Sequence, residues 1–274
     1  MNIVYVGQLN YGGTCLQRMN TLQNMGHKVT GINVLNPKDT SIIARIFNKL
    51  KHPIDFNKVN HQITENTKKQ KFDLLWIDKG LLIRPETLKE VKRVCPQTKI
   101  ITFSPDDMLN PGNQSGYYLK CIPLYDYHIT TKSYNVPELK ELAAKNVIFT
   151  DKSFDPDFHK KMSLSADELK KYGCNVGFIG QFEKERFQSM LFLAKNGVKV
   201  TVRGTSWEKY INIHPNMVVK PGFILGEEYA KVINATKINL CFLRKVNRDL
   251  QTARSIEIPA CGAFMLGERT NEHL

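Results

Sequence analysis

Short runs rich in Val, Ile and Phe alternate along the whole chain with longer segments of helical period, the pattern of a mostly parallel sheet covered by helices. In the first half the spacing predicts strands over Asn2–Val6, Lys28–Asn33, Asp73–Ile77, Lys99–Phe103, Tyr127–Thr130 and Asn146–Phe149, with helices between them. One helix runs from Thr14 to Met25, carries Leu16, Met19 and Leu22 on one face, and stops at Gly26, a residue suited to a left-handed C-terminal cap. Another opens on Pro85, which the first helical turn tolerates, and ends at Cys95 before Pro96.

From Thr150 to about Tyr172 strand signals are scarce, and Ser153, Pro156, Ser163 and Ser165 punctuate a segment that reads as an inter-domain connection. A second rhythm then begins. Its expected elements are a strand over 175–179, a helix over 183–196 closed by Gly197, a strand over 198–203 and a helix over 226–234, then a strand over 238–242, a short helix over 255–260 and a strand over 263–266. The fold class expected is α/β: two Rossmann-like, doubly wound domains over 1–150 and 174–274, joined by 151–173. In such an arrangement the carboxyl ends of the two sheets are expected to face a shared cleft, where these folds bind ligands.

Composition narrows the function classes. No apolar run approaches the roughly 20 residues of a membrane helix, and Met1 to Val6 enter a strand directly without a signal-peptide layout, so the expected compartment is the cytoplasm. The six cysteines stand singly, which excludes a C-x-x-C pair. A net charge of +13 favours anionic partners: a nucleotide diphosphate, an acidic membrane surface or a nucleic acid. The lysines are spread through helices and linkers, with no Arg-rich arm and no nucleic-acid module, so nucleic acid is not an expected partner, whereas peripheral association with a membrane surface is compatible.

Several constellations are candidates for chemistry. Gly7-Gln-Leu-Asn-Tyr-Gly12-Gly13-Thr14 lies between a strand and a helix, where Gly12 and Gly13 let backbone N–H groups approach a sugar or phosphate, or simply make a tight turn. It has neither the G-x-G-x-x-G spacing nor a Walker lysine. Asp106 and Asp107 follow a strand, and such carboxylates orient a hydroxyl acceptor or act as a general base, unless they are only a solvated turn after Pro105. Asp78-Lys79-Gly80 occupies the matching edge of another strand and reads as a polar loop start. Asp155-Pro-Asp157 matches a short metal-binding pattern but sits in the connection, and His27, His61, His128, His159 and His214 are isolated in sequence, so no metal requirement is expected. The strongest cluster is Arg244, Lys245, Arg248 and Asp249, followed by Arg254 to Gly262. Guanidinium groups leading into a helix start suit a pyrophosphate, and Glu257, one turn into that helix, suits ribose hydroxyls.

Taken together, Asn239-Leu-Cys-Phe-Leu, Ala253-Arg-Ser-Ile-Glu-Ile-Pro-Ala-Cys-Gly-Ala-Phe-Met-Leu and Glu268 to Leu274 resemble the CgeB-like, spore-maturation-protein-like branch of the GT-B glycosyltransferases. Ser104-Pro-Asp-Asp107, Thr130 to Val136 and Gly177-Phe-Ile-Gly180 also resemble it. The resemblance implies transfer of a sugar from a nucleoside diphosphate sugar to a hydroxyl-bearing acceptor (glycan, protein or lipid-linked), with no metal or other cofactor. It implies Glu257 as the ribose ligand and Asp249, in place of the family's glutamate, near the donor sugar; Asp106, by its place after a strand, is the second candidate catalytic carboxylate. The family's phosphate-binding cations usually follow a glycine after the first strand of the second domain. Here Gly180 is followed by Gln181, with Lys184 and Arg186 further on, so that duty is expected of Arg244, Arg248 or Arg254. Gly180 and Gly204 complete the expected donor-binding set. In that family another helix and a returning segment follow the strand at 263–266, so a second domain ending at Leu274 is expected to be incomplete. Two other readings are a sugar-nucleotide epimerase, which uses the same architecture, and a non-catalytic nucleotide-sugar-binding protein.

Overall fold

The computed structural model describes residues 1–273, and the chain divides into two compact units, Met1–Asp151 and Lys152–Leu274. In the first unit the elements are β1 (Asn2–Gly7), α1 (Thr14–Asn24), β2 (Lys28–Asn33), α2 (Ile42–Lys49), α3 (Val59–Lys69), β3 (Leu74–Asp78), α4 (Pro85–Val94), β4 (Lys99–Ser104), α5 (Gly116–Cys121), β5 (Tyr127–Thr130), α6 (Asn135–Glu141) and β6 (Val147–Phe149). The second contains α7 (Ala166–Tyr172), β7 (Cys174–Ile179), α8 (Lys184–Lys195), β8 (Val200–Gly204), β9 (Met217–Pro221), α9 (Gly226–Ala235), β10 (Thr236–Cys241), α10 (Ala253–Ala260) and β11 (Met265–Gly267).

Every strand pairing is parallel, in the orders β2-β1-β3-β4-β5-β6 and β11-β10-β7-β8-β9. Parallel strands need crossover helices, which bury both sheet faces, and this is why the central strands read as nearly continuous apolar runs. Ile3, Val4, Tyr5 and Val6 of β1 are all buried, as are all five residues of β8. The first core gathers Val4, Val6, Leu75, Ile77 and Ile100, and the second Phe178, Val200, Val202, Trp207 and Leu240. Each unit is therefore the doubly wound α/β unit that the sequence pattern predicts.

Two differences from the sequence reading are local. Within the stretch expected to be a plain connection, α7 forms because Ser165 accepts a bond from the Glu168 N–H while the Glu168 carboxylate accepts from the Ser165 N–H, a reciprocal cap. That stretch packs within the second unit. The strand β9 was not expected, since Met217–Pro221 holds only two consecutive valines before Lys220 and Pro221. Its place at a sheet edge accommodates the proline.

Candidate functional site

In an open parallel sheet the crevice for ligands lies at the carboxyl ends of the two strands where the chain's direction of travel reverses. In the second sheet those strands are β7, from which the chain proceeds to β8 and β9, and β10, from which it proceeds to β11. The segments that leave them are Gly180 to Arg186 and Phe242 to Arg254. The order of strands thus joins two stretches far apart in sequence.

Their cations converge. Arg186 and Arg254 both place a guanidinium over the Phe178 ring, at 5.4 and 5.5 Å from its centroid, and Arg244 Nε donates to Glu183 Oε1 at 2.7 Å. Glu183 also stands 3.5 Å from Arg186, so one carboxylate serves two arginines beside a third. Arg186 is buried, its Nη1 donates to the Gln181 carbonyl at 3.0 Å, and its Nε and Nη2, like Nε of Arg254, are buried without a hydrogen-bond partner. Burial first, and then the charge of Arg254, push Arg186 down to about 10, against the opposing pull of Glu183. Three guanidinium groups are thus gathered around the single carboxylate of Glu183, with two nitrogens of Arg186 left unpaired.

Two candidate carboxylates flank it. Asp249 accepts from Asn247 Nδ2 at 2.7 Å and from the Arg244 N–H at 3.4 Å, and its charge is felt by Arg186. Glu257 is buried on α10, accepts a hydrogen bond from the Tyr229 hydroxyl at 2.6 Å, and has His159 Nε2 at 3.8 Å. Burial, reinforced by Glu257, holds the Tyr229 phenol well above its usual pKa, so it remains a donor to that carboxylate. His159, isolated in sequence, is thus part of this cluster, and its ring packs edge-on against Tyr229. Arg248 is exposed and takes a left-handed conformation, φ 46°, after the turn Lys245–Asn247.

The glycines have packing reasons. A Cβ on Gly204, φ +148°, would stand 2.1 Å from the Gly180 carbonyl oxygen, and one on Gly180 would meet the Phe178 ring at 2.6 Å. The Gly180 carbonyl in turn accepts from Trp207 Nε1 at 2.8 Å. The sequence reading noted Arg186 after Gly180 but did not expect it to be buried. The signal was available: Arg186, Met190 and Ala194 form the buried stripe of α8, and a charge at a core position of a helix is abnormal unless something uses it.

In the first unit the reversing strands are β1 and β3. Gly12 (φ +71°) and Gly13 form a tight turn, with the Gly13 N–H donating to the Asn10 carbonyl at 3.0 Å. Asp78 is buried, accepts from the Tyr5 hydroxyl and pairs with Arg18 at 3.3 Å, which makes it a charge cluster rather than a polar loop start. Burial, aided by Asp78, pushes the neighbouring Cys15 thiol up to about 11 and keeps it protonated. Asp106 pairs with Lys79 at 2.5 Å, and Asp107 is buried, accepting from the Leu109 N–H and Asn135 Nδ2. A cavity of about 230 Å³ opens beside Cys15 and Asp78, lined also by Val6, Gln8, Leu35, Ala44 and Asn48 among others. The Asp155 carboxylate accepts from the Asp157 N–H at 3.0 Å, which closes a turn.

Residues 184–274 match the family model described as glycosyl transferase-like. The match lies within the second unit, and the matched residues include Arg186, Asp249, Arg254 and Glu257. No curated protein matches the chain in sequence. Among solved structures the chain is similar to an alpha-glucosyltransferase in complex with UDP and a 13-mer DNA containing a HMU base, at 14% identity and a TM-score of 0.59, over 97% of this chain and 79% of that one. It is also similar to a UDP-forming trehalose-phosphate synthase from Burkholderia xenovorans (11% identity, TM-score 0.64, 99% and 84%). A third similar structure is a putative UDP-N-acetylglucosamine 2-epimerase from Listeria monocytogenes (10%, 0.59, 99% and 80%). At these identities the likeness is one of fold, and the fold is that of the GT-B glycosyltransferases.

Proposed function

We propose that the protein transfers a sugar from a nucleoside diphosphate sugar to a hydroxyl-bearing acceptor without a metal, as a member of the CgeB-like branch. The observation that carries this reading is the pair of guanidinium groups of Arg186 and Arg254 on Phe178, with buried N–H groups that have no partner, at the carboxyl end of β7. A diphosphate supplies the missing acceptors. As the glycosidic bond breaks, negative charge grows on the leaving diphosphate, and these cations together with the start of α10 stabilise it, an electrostatic contribution of several kcal/mol in such sites. That is the service a metal ion performs elsewhere.

In this reading Glu257, fixed by Tyr229, receives the ribose hydroxyls, and Asp249 stands near the donor sugar with Arg244 and Arg248 at the rim. Gly180 and Gly204 keep the backbone low enough for the nucleotide to approach, Gly12, Gly13 and Asp106 belong to the acceptor side, and the acceptor is a glycan, a protein or a lipid-linked molecule. Because the similar structures named above carry UDP in their descriptions, UDP-sugars are the first donors to test. Arg254→Ala and Glu257→Ala are each expected to weaken UDP binding by about 1–3 kcal/mol in calorimetry, the cost of a lost charged hydrogen bond. Unchanged affinity in both variants would overturn the site. Release of UDP that depends on added acceptor marks transfer, whereas conversion of the sugar without acceptor marks the epimerase alternative.

A further inference from the structure

The excursion between β2 and α3 carries an apolar surface that the donor chemistry does not use. Around the axis of α2, at 100° per residue, Ile42, Ile46, Leu50, Ile43 and Phe47 fill one arc, with Leu50 just past the last turn. Ala44 and Asn48 lie on the opposite side and line the cavity beside β1 and β3. The apolar arc therefore points outward. Ile42 is 76% exposed, Ile43 60%, Ile46 53%, Phe47 42% and Leu50 61%, while Ala44 is the helix's one buried residue. A soluble helix of this pattern ordinarily turns such an arc into the core.

The excursion is a built structure. Ser41 Oγ accepts from the Ala44 N–H at 3.2 Å, Asn36 Nδ2 donates to Asn57 Oδ1 at 2.6 Å, and Asn57 in turn donates to the Asn33 and Leu35 carbonyls. Its charges are one-sided. Lys38, Arg45, Lys49 and Lys58 are exposed, whereas the carboxylates of Asp39 and Asp55 are turned onto backbone N–H groups at Asn36 and at Val59 and Asn60. An outward apolar arc bordered by cations is the pattern of a helix lying in the interface of an anionic bilayer. Antiparallel pairing of α2 with a second copy of itself would bring Arg45 and Lys49 against their equivalents, a repulsion that an anionic bilayer turns into attraction.

We propose that α2 docks this protein on anionic lipid surfaces, its isoleucines and Phe47 entering the acyl boundary while Arg45 and Lys49 meet the head groups. The cavity that Ala44 and Asn48 line then lies directly behind the docked helix, and its occupant is the hydroxyl-bearing head of a lipid-borne acceptor. That last step rests on the glycosyltransferase reading; the docking does not.

The test is co-sedimentation of the full chain with vesicles of phosphatidylcholine and phosphatidylglycerol in equal parts, and with phosphatidylcholine alone. Wild-type protein is expected to pellet with the anionic vesicles and far less with the neutral ones. The double variant Ile42→Glu, Ile46→Glu is expected to bind at least about tenfold more weakly while keeping its thermal midpoint, since both side chains are exposed. The proposal is overturned if the wild type ignores anionic vesicles, if the variant pellets equally, or if a concentration-dependent dimer disappears in the variant. It is also overturned if duplex DNA, but not vesicles, binds in a way the substitutions abolish. UDP calorimetry on the same preparations keeps the two readings apart, because loss of vesicle binding with intact UDP affinity strikes the docking alone, and the reverse strikes the donor site alone.

Discussion

Arg186 is charged in a place that gives it little compensation: it shares Glu183 with Arg244, it feels Arg254, and two of its nitrogens are buried without partners. Such a residue costs the fold stability that an apolar one would return. Arg186→Met is accordingly expected to leave the unfolding midpoint unchanged or raise it, while UDP affinity falls by about 1–3 kcal/mol, a split that denaturation and calorimetry on one variant resolve. A variant that loses stability along with affinity would make Arg186 structural. Gly204 is the converse case. It is demanded by the Gly180 carbonyl, 2.1 Å from where its Cβ would be, so strand packing alone requires glycine near the carboxyl end of β8, in addition to the part proposed for it at the donor site.

At the scale of elements, strand and helix positions were legible because periodicity is local. The observed bounds of β2 and β5 are those expected, and α1 stops before Gly26, whose φ is +83°. The helix α7 was missed because its signal is a short polar cap rather than an apolar period. Its reciprocal Ser165–Glu168 bonds make Ser165→Ala expected to cost about 1 kcal/mol in urea unfolding, with Ser165→Gly costing less. For α2 the period announces a helix, yet an amphipathic pattern by itself puts the apolar arc inward. Its outward turn depends on the bonds that tie Asn36 to Asn57, at the base of the excursion.

The molecule as a whole couples its packing to pH through His128. This ring is buried against Tyr125, its Nε2 stands 2.9 Å from the Ile122 carbonyl, and its Nδ1 has no partner, so a second proton would be buried without an acceptor. Burial lowers its pKa in the folded state. Because the unfolded chain binds that proton more readily, the stability contributed is whole above about pH 6.5 and declines as the pH falls below it. Thermal midpoints at pH 7.5 and 5.5 are expected to drop for the wild type and to drop less for His128→Leu. Across both units, the amino-acid order alone determined the alternation of strands and helices, the glycine stops and the basic run before α10, because each is decided by neighbours a turn or a strand away. Tertiary structure decided which charges meet. Glu183 and Arg244 are 61 residues apart and pair only because β7 and β10 are adjacent in the parallel sheet, and no local pattern encodes that adjacency. The same holds for Glu257, whose buried place beside Tyr229 and His159 follows from how α9 and α10 pack, and for Ile42 to Leu50, whose exposure is a property of what the fold leaves uncovered.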